Sequence, residues 1–181
     1  MRSIFTRLIH SCGMIEIKDQ ISFSKNFAAY GTKALQDGGN ILCDCEMVSA
    51  GIIRRYLPAK NEVIVTLNNP EVPLAAEIID NTRSASAIHL WEPFIEGSVV
   101  VIGNAPTALF HLLELLDTGF PKPACIVAFP VGFVGAVESK NELAFNSRGC
   151  EYITLKGRQG GSAMASAVVN ALSAGLPEVK L

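Results

Sequence analysis

The chain has 181 residues, 49% of them hydrophobic and 18% charged, which is enough apolar material for one continuous core and comparatively little charge to cover a surface. Its 15 basic and 17 acidic side chains leave a formal charge of −2 and are spread along the sequence, which excludes a nucleic-acid interface built on a basic stripe. A polyanionic ligand would have to be gripped by a few Arg and Lys side chains in one pocket, because the net field does not attract it.

These figures predict a single domain over positions 1–181, with a shared subunit interface compatible with the apolar excess. The apolar stretch between Arg2 and Arg7 is too short for a signal-peptide core, and no run approaches the roughly 20 apolar residues of a membrane helix. A cytoplasmic protein with no membrane partner is therefore expected. Cys12, Cys43, Cys45, Cys125 and Cys150 lie mostly in apolar runs and are expected to be reduced. The Cys43-Asp44-Cys45 spacing does not match a zinc or redox pair, so no metal site is expected.

In chain order, a first helix ends near His10, where Ser11-Cys12-Gly13 turns the chain. Helical spacing follows at 27–35, strands at 40–44 and 62–66, and one long helix at 74–91. Strands are then expected at 98–103, 124–129 and 151–155, alternating with helices at 107–117, 138–146 and 162–172. The strands read as continuous apolar runs, as expected when both faces of a sheet are covered. The fold class is thus α/β, with a mostly parallel central sheet and helices on both faces. Ligands of such sheets bind at the carboxyl ends of the strands, which directs attention to the loops leaving those ends.

Gly103-Asn104-Ala105-Pro106-Thr107 is a glycine turn entering a helix, where free N–H groups and the helix dipole could hold a carboxylate; an ordinary capped turn has the same appearance. The segment from Pro130 to Lys140, with Gly132, Val134, Gly135, Ser139 and Lys140, is unusually apolar for a loop. It could carry an apolar ring system or pack against a second subunit. Gly157-Arg158-Gln159-Gly160-Gly161-Ser162 permits close backbone approach and offers an arginine for a carboxylate, but lacks the phosphate-loop spacing. Asn81-Thr82-Arg83-Ser84-Ala85 places polar groups inside a helical pattern, so Arg83 is either a carboxylate clamp or part of a solvated face. Among the histidines, His89 and His111 read as packing or surface residues, whereas His10 sits at a helix end that favours imidazolium.

Arg7-Leu8-Ile9-His10-Ser11-Cys12-Gly13 resembles the catalytic histidine segment of the precorrin-8X methylmutases. Further similar strings follow in order: Ile41-Leu42-Cys43-Asp44 with Glu46-Met47-Val48, Asn61-Glu62-Val63, the Thr82-Arg83-Ser84 segment, and the three loops just described. The resemblance implies a homodimeric isomerase of cobalamin biosynthesis that shifts a methyl group within ring C of precorrin-8X, or of its cobalt form, without a cofactor. It implies that His10 is the general acid. It further implies that Thr82, Arg83, Ser84, Gly103, Asn104, Ala105, Thr107, Gly132, Val134, Gly135, Ser139, Lys140, Arg158, Gly160, Gly161 and Ser162 hold the tetrapyrrole polycarboxylic acid. A corrinoid-binding protein of the same fold is the alternative. Family chains begin about one helix earlier, and Cys45 and His111 stand where the family pattern has Ala and an aromatic residue.

Overall fold

The computed structural model describes residues 1–174; positions 175–181 of the expected domain lie outside the described residues. Helix α1 (Arg2–Cys12) carries Ile4 and Leu8 inward, one turn apart. It runs past His10 and stops where Gly13 takes a left-handed conformation at φ 71°, its N–H bonding Ile9 O at 2.7 Å. A 3-10 turn (Ile15–Gln20) leads to β1 (Ile21–Phe23), which was too short to show as a strand pattern. Then come α2 (Phe27–Gln36), β2 (Ile41–Cys43), α3 (Glu46–Gly51) and β3 (Val63–Val65).

The helix expected over 74–91 is broken in two. Helix α4 (Val72–Ile78) ends before Asp80, whose φ of 50° cannot continue a right-handed helix. Asn81 Oδ1 accepts the Thr82 N–H at 2.8 Å, and Thr82 Oγ1 caps α5 (Arg83–Ser86) by accepting the Ala85 N–H at 3.2 Å. Short polar side chains here bond the backbone in place of the helical ladder, which outweighs the favourable spacing on either side. Chain continues through a 3-10 turn (Ala87–Trp91), β4 (Val99–Ile102), α6 (Pro106–Asp117), β5 (Cys125–Ala128), α7 (Ala136–Phe145), β6 (Glu151–Leu155) and α8 (Ser162–Ala174).

Among the described residues six strands form one sheet in the order β1-β6-β5-β4-β2-β3. Only the β1 edge is antiparallel, with Ile21 opposite Leu155 and Phe23 opposite Ile153. Alternate residues of the central strands enter two separate cores. Cys43, Val101, Val127 and Ile153 pack under α1, α2, α3 and α8, while Leu42, Val100, Ile126 and Ala128 pack under α6 and the Ile88–Trp91 pair. This two-sided burial explains the unbroken apolar runs.

The sheet reverses its direction of growth between β2 and β4, because β3 lies outside β2 and β4 returns to its other side. Loops leaving these two neighbours go to opposite faces: α3 joins the α8 core and α6 the other. A crevice at the carboxyl edge follows from that divergence.

Candidate functional site

Asp44, directly after β2, spans the crevice. Its Oδ1 accepts the Gly103 N–H at 3.0 Å, and its Oδ2 accepts the N–H groups of Asn104 and Ala105, each at 2.9 Å. The turn at the α6 amino end therefore holds an internal carboxylate, where the sequence suggested a docking place for a ligand's carboxylate. Burial pushes the Asp44 carboxyl up, and the three N–H donors work against that shift by favouring the anion. Sequence reasoning passed over this residue; its signal was a single acid closing a buried apolar strand, where a charge must find partners.

Gly103 sits in this turn because the chain is packed tightly around it: a Cβ would meet Val48 Cγ2 at 2.6 Å and Ser162 Cα at 2.9 Å. The three candidate loops are joined by their backbones. Val131 N–H donates to Asn104 O at 3.3 Å, Gly132 N–H to Arg158 O at 3.3 Å, and Gly161 N–H to Phe129 O at 2.8 Å. A Cβ on Gly160 would overlap the carbonyl oxygens of Phe129 and Pro130, so this approach requires glycine.

Above these loops stand Phe133 and Val134, 84% and 89% exposed, with the Arg158 guanidinium 5.4 Å from the Phe133 ring centre. Gly135, at φ 78°, then turns the chain into α7. Ser139 and Lys140 point inward. Ser139 Oγ donates to Ala136 O at 3.3 Å, and the buried Lys140 donates from Nζ to Gln159 O at 2.6 Å, bracing the Arg158 loop from beneath. Burial pulls the Lys140 ammonium down to about 8.

Thr82 and Thr107 meet, Thr82 Oγ1 donating to Thr107 Oγ1 at 2.8 Å, so the starts of α5 and α6 are joined. Arg83 is exposed yet anchored, with one guanidinium nitrogen donating to Leu67 O at 3.2 Å beyond the end of β3. Ser84 is half-buried beside it. Ser162, which opens α8, is buried with its Oγ 3.7 Å from Cys45 Sγ.

His10 lies on the last turn of α1 and lines a cleft of about 330 Å³ with Arg7, Met47, Ala163, Ser166 and Asn170. The cleft is thus bounded by the carboxyl end of α1, the start of α3 and the first turns of α8. Its wall is held by Asn170, whose Oδ1 accepts the Ile53 N–H at 2.8 Å and whose Nδ2 donates to Gly51 O at 2.9 Å. Gln159 Nε2 is 3.8 Å from Met14 Sδ, tying the Arg158 loop to the chain just beyond α1. Arg7, three residues before His10 on the same helical face, went unassigned in the sequence although the spacing predicts that the two are neighbours. A larger cavity of about 640 Å³ lies beside Gly39, Gly97 and Ala124, which precede β2, β4 and β5; it is on the opposite edge from the crevice. Among the described residues no group of three or more His, Cys, Asp or Glu is placed to hold a metal ion, all five cysteines are free, and no helix is long and apolar enough to cross a membrane.

This architecture matches known proteins over almost its full length. The family CbiC, precorrin-8X methylmutase, matches residues 1–174. A precorrin-8X methylmutase of Pseudomonas aeruginosa is 56% identical over 173 residues, covering 96% of this chain and 83% of the relative. One from a Sinorhizobium species is 54% identical, covering 92% and 80%, and a cobalt-precorrin-8 methylmutase of Priestia megaterium is 33% identical, covering 94% and 75%. Among solved structures, a precorrin-8X methylmutase of Thermus thermophilus superposes with a TM-score of 0.82 at 34% identity, covering 94% of this chain and 83% of that one. The chain belongs to the precorrin-8X methylmutase family.

Proposed function

We propose that this chain is the isomerase that moves a methyl group within ring C of precorrin-8X, giving hydrogenobyrinic acid in cobalamin biosynthesis. The observation that carries the reading is the family match through residues 1–174, which includes every candidate site segment. The metal-free substrate is preferred over its cobalt form because the two relatives above half identity bear the metal-free name, whereas the cobalt-precorrin-8 methylmutase of Priestia megaterium is at 33%.

In this reading His10 is the general acid. Its imidazolium protonates the macrocycle as the methyl migrates, and the bond broken at one ring carbon is re-formed at its neighbour with no net redox change. Phe133 and Val134 supply an apolar platform for the ring system, and Arg83 and Arg158 receive its carboxylates. Thr82, Ser84, Asn104, Thr107 and the glycine turns at 103, 132, 135, 160 and 161, with Ala105 and Ser162, shape the pocket. Ser139 and Lys140 support it from below. Fixing a flexible polyacid in one reactive conformation is the larger part of the task. The enzyme works in the cytoplasm as a homodimer, a state supported by two large apolar side chains left almost fully exposed beside the crevice.

Absorbance spectra after incubation with precorrin-8X and with cobalt-precorrin-8 test the reaction, because methyl migration changes the conjugated system. Conversion of the metal-free form is expected. Tight binding of hydrogenobyrinic acid with no conversion of either substrate would make the chain a binding protein instead. Sedimentation across micromolar concentrations tests the dimer, and a monomer that binds ligand normally would remove it.

A further inference from the structure

The two histidines outside the cleft meet each other. His89, in the 3-10 turn that continues α5, places its Nε2 2.9 Å from Nε2 of His111 on α6. The rings are 4.8 Å apart at 61°. His111 Nδ1 is in turn 3.1 Å from Glu114 Oε2, one turn along the same helix. A carboxylate at Nδ1 holds the proton there and leaves Nε2 of His111 as a lone-pair donor. In the pair as it stands, His89 then donates its Nε2–H to His111.

We propose that His89 and His111 together chelate a divalent transition-metal ion of borderline softness, such as Ni2+, Cu2+ or Zn2+. Imidazole nitrogens bound at about 2.0 Å stand roughly 2.8 Å apart when they take neighbouring corners of a square-planar ion, and about 3.3 Å apart on a tetrahedral one. The observed 2.9 Å is a hydrogen-bond separation in which the two nitrogens face each other; it falls in the same range, so rotation of the rings with little translation turns both lone pairs towards one ion. His89 changes tautomer, its proton moving to Nδ1, while Glu114 already stabilises the form of His111 that binding needs. No proton is lost by a neutral pair. Glu114 on α6 and Glu92 just after the 3-10 turn bring negative charge near the ion. Water completes the coordination, since among the described residues no group of three or more His, Cys, Asp or Glu is placed to hold an ion.

The consequence is structural. Thr107 and His111 lie four residues apart on α6, and their partners Thr82 and His89 bracket α5. An ion at the histidines therefore fastens the same pair of elements that the threonines join beside the crevice, and it steadies the segment carrying Arg83.

Calorimetric titration of the untagged full chain with NiCl2 and CuCl2 tests this. One ion per chain is expected, with a rise in melting temperature and loss of binding as the pH is lowered towards 5. His89→Gln and His111→Phe should each weaken binding at least tenfold, and the electron paramagnetic resonance spectrum of bound Cu2+ should show two nitrogens in the wild type. His111→Gln serves as the second variant where Phe disturbs folding, as judged by circular dichroism. Wild-type affinity in both variants, absence of binding at neutral pH, or loss in only one variant would overturn the chelate. None of these readouts depends on turnover of a tetrapyrrole.

Discussion

Asp44 Oδ2 accepts the N–H of Ala105 at 2.9 Å, and through it the end of β2 holds the start of α6 across the point where the sheet reverses. Its other bonds fix Gly103 and Asn104, so one carboxylate sets the backbone of a whole candidate loop. Removing it leaves three buried or half-buried N–H groups without their partner. Asp44→Ala should therefore lose about 2 to 4 kcal/mol of stability in urea unfolding. Asp44→Asn, which keeps one acceptor, should lose less. An Ala variant as stable as the wild type would mean that water replaces the carboxylate fully.

His10→Asn should separate binding from chemistry. It leaves the platform, the arginines and the helix ends in place, so hydrogenobyrinic acid should bind as before while turnover at saturating substrate falls roughly 100-fold or more. Turnover near the wild-type rate would reduce His10 to a helix-end residue.

Arg83→Ala and Arg158→Ala should each weaken product binding by about 1 to 3 kcal/mol, the scale of a charge-assisted hydrogen bond. The two losses should differ in their rescue. Arg158 also lies against Phe133, so Lys should restore little at 158, where a planar guanidinium is needed for stacking. Fluorescence or absorbance titration with the product measures both, and unchanged affinity would leave Arg83 to its anchor at Leu67 and Arg158 to its contact with Phe133.

Lys140 makes stability depend on pH in the alkaline range. Its pKa is about 8 when folded against an ordinary value of 10.5, so between these values the unfolded chain holds the extra proton. Stability from this group therefore rises with pH across that window: the burial penalty is full below pH 8 and gone above 10.5. Buried thiols at Cys43 and Cys125 act oppositely above pH 9, because burial raises their pKa and the unfolded chain ionises first. Subtracting the curve of Lys140→Met isolates the lysine. The wild type should gain on that variant steadily from pH 8 to 10.5, and a constant difference would show that the ammonium is solvated.

The continuous apolar runs of β2, β4 and β5 were legible in the sequence as buried strands because burial on both faces leaves no room for alternation, whereas β3 is only half-buried and β6 alternates Glu151, Tyr152 and Thr154 with Ile153 and Leu155. Gly160 was legible as a place of close backbone approach, whereas Gly161 has open space around it and serves the turn through its φ of 119°. The resemblance carried the family, since strings such as Arg7 to Gly13 depend on residue identity and not on contacts. The break at Asp80 was not legible, because helix spacing on both sides is good and only the side-chain bonds of Asn81 and Thr82 decide against continuation. Nor could the sequence show that the α6 turn is filled by Asp44, 59 to 61 positions away, or that His89 and His111 touch across 22 residues. Periodicity reports which face of an element is buried, whereas the partner of a polar group depends on how the sheet is ordered. The tertiary structure alone decided that order, by returning β4 to the inner side of β2 and bringing these distant groups to one edge.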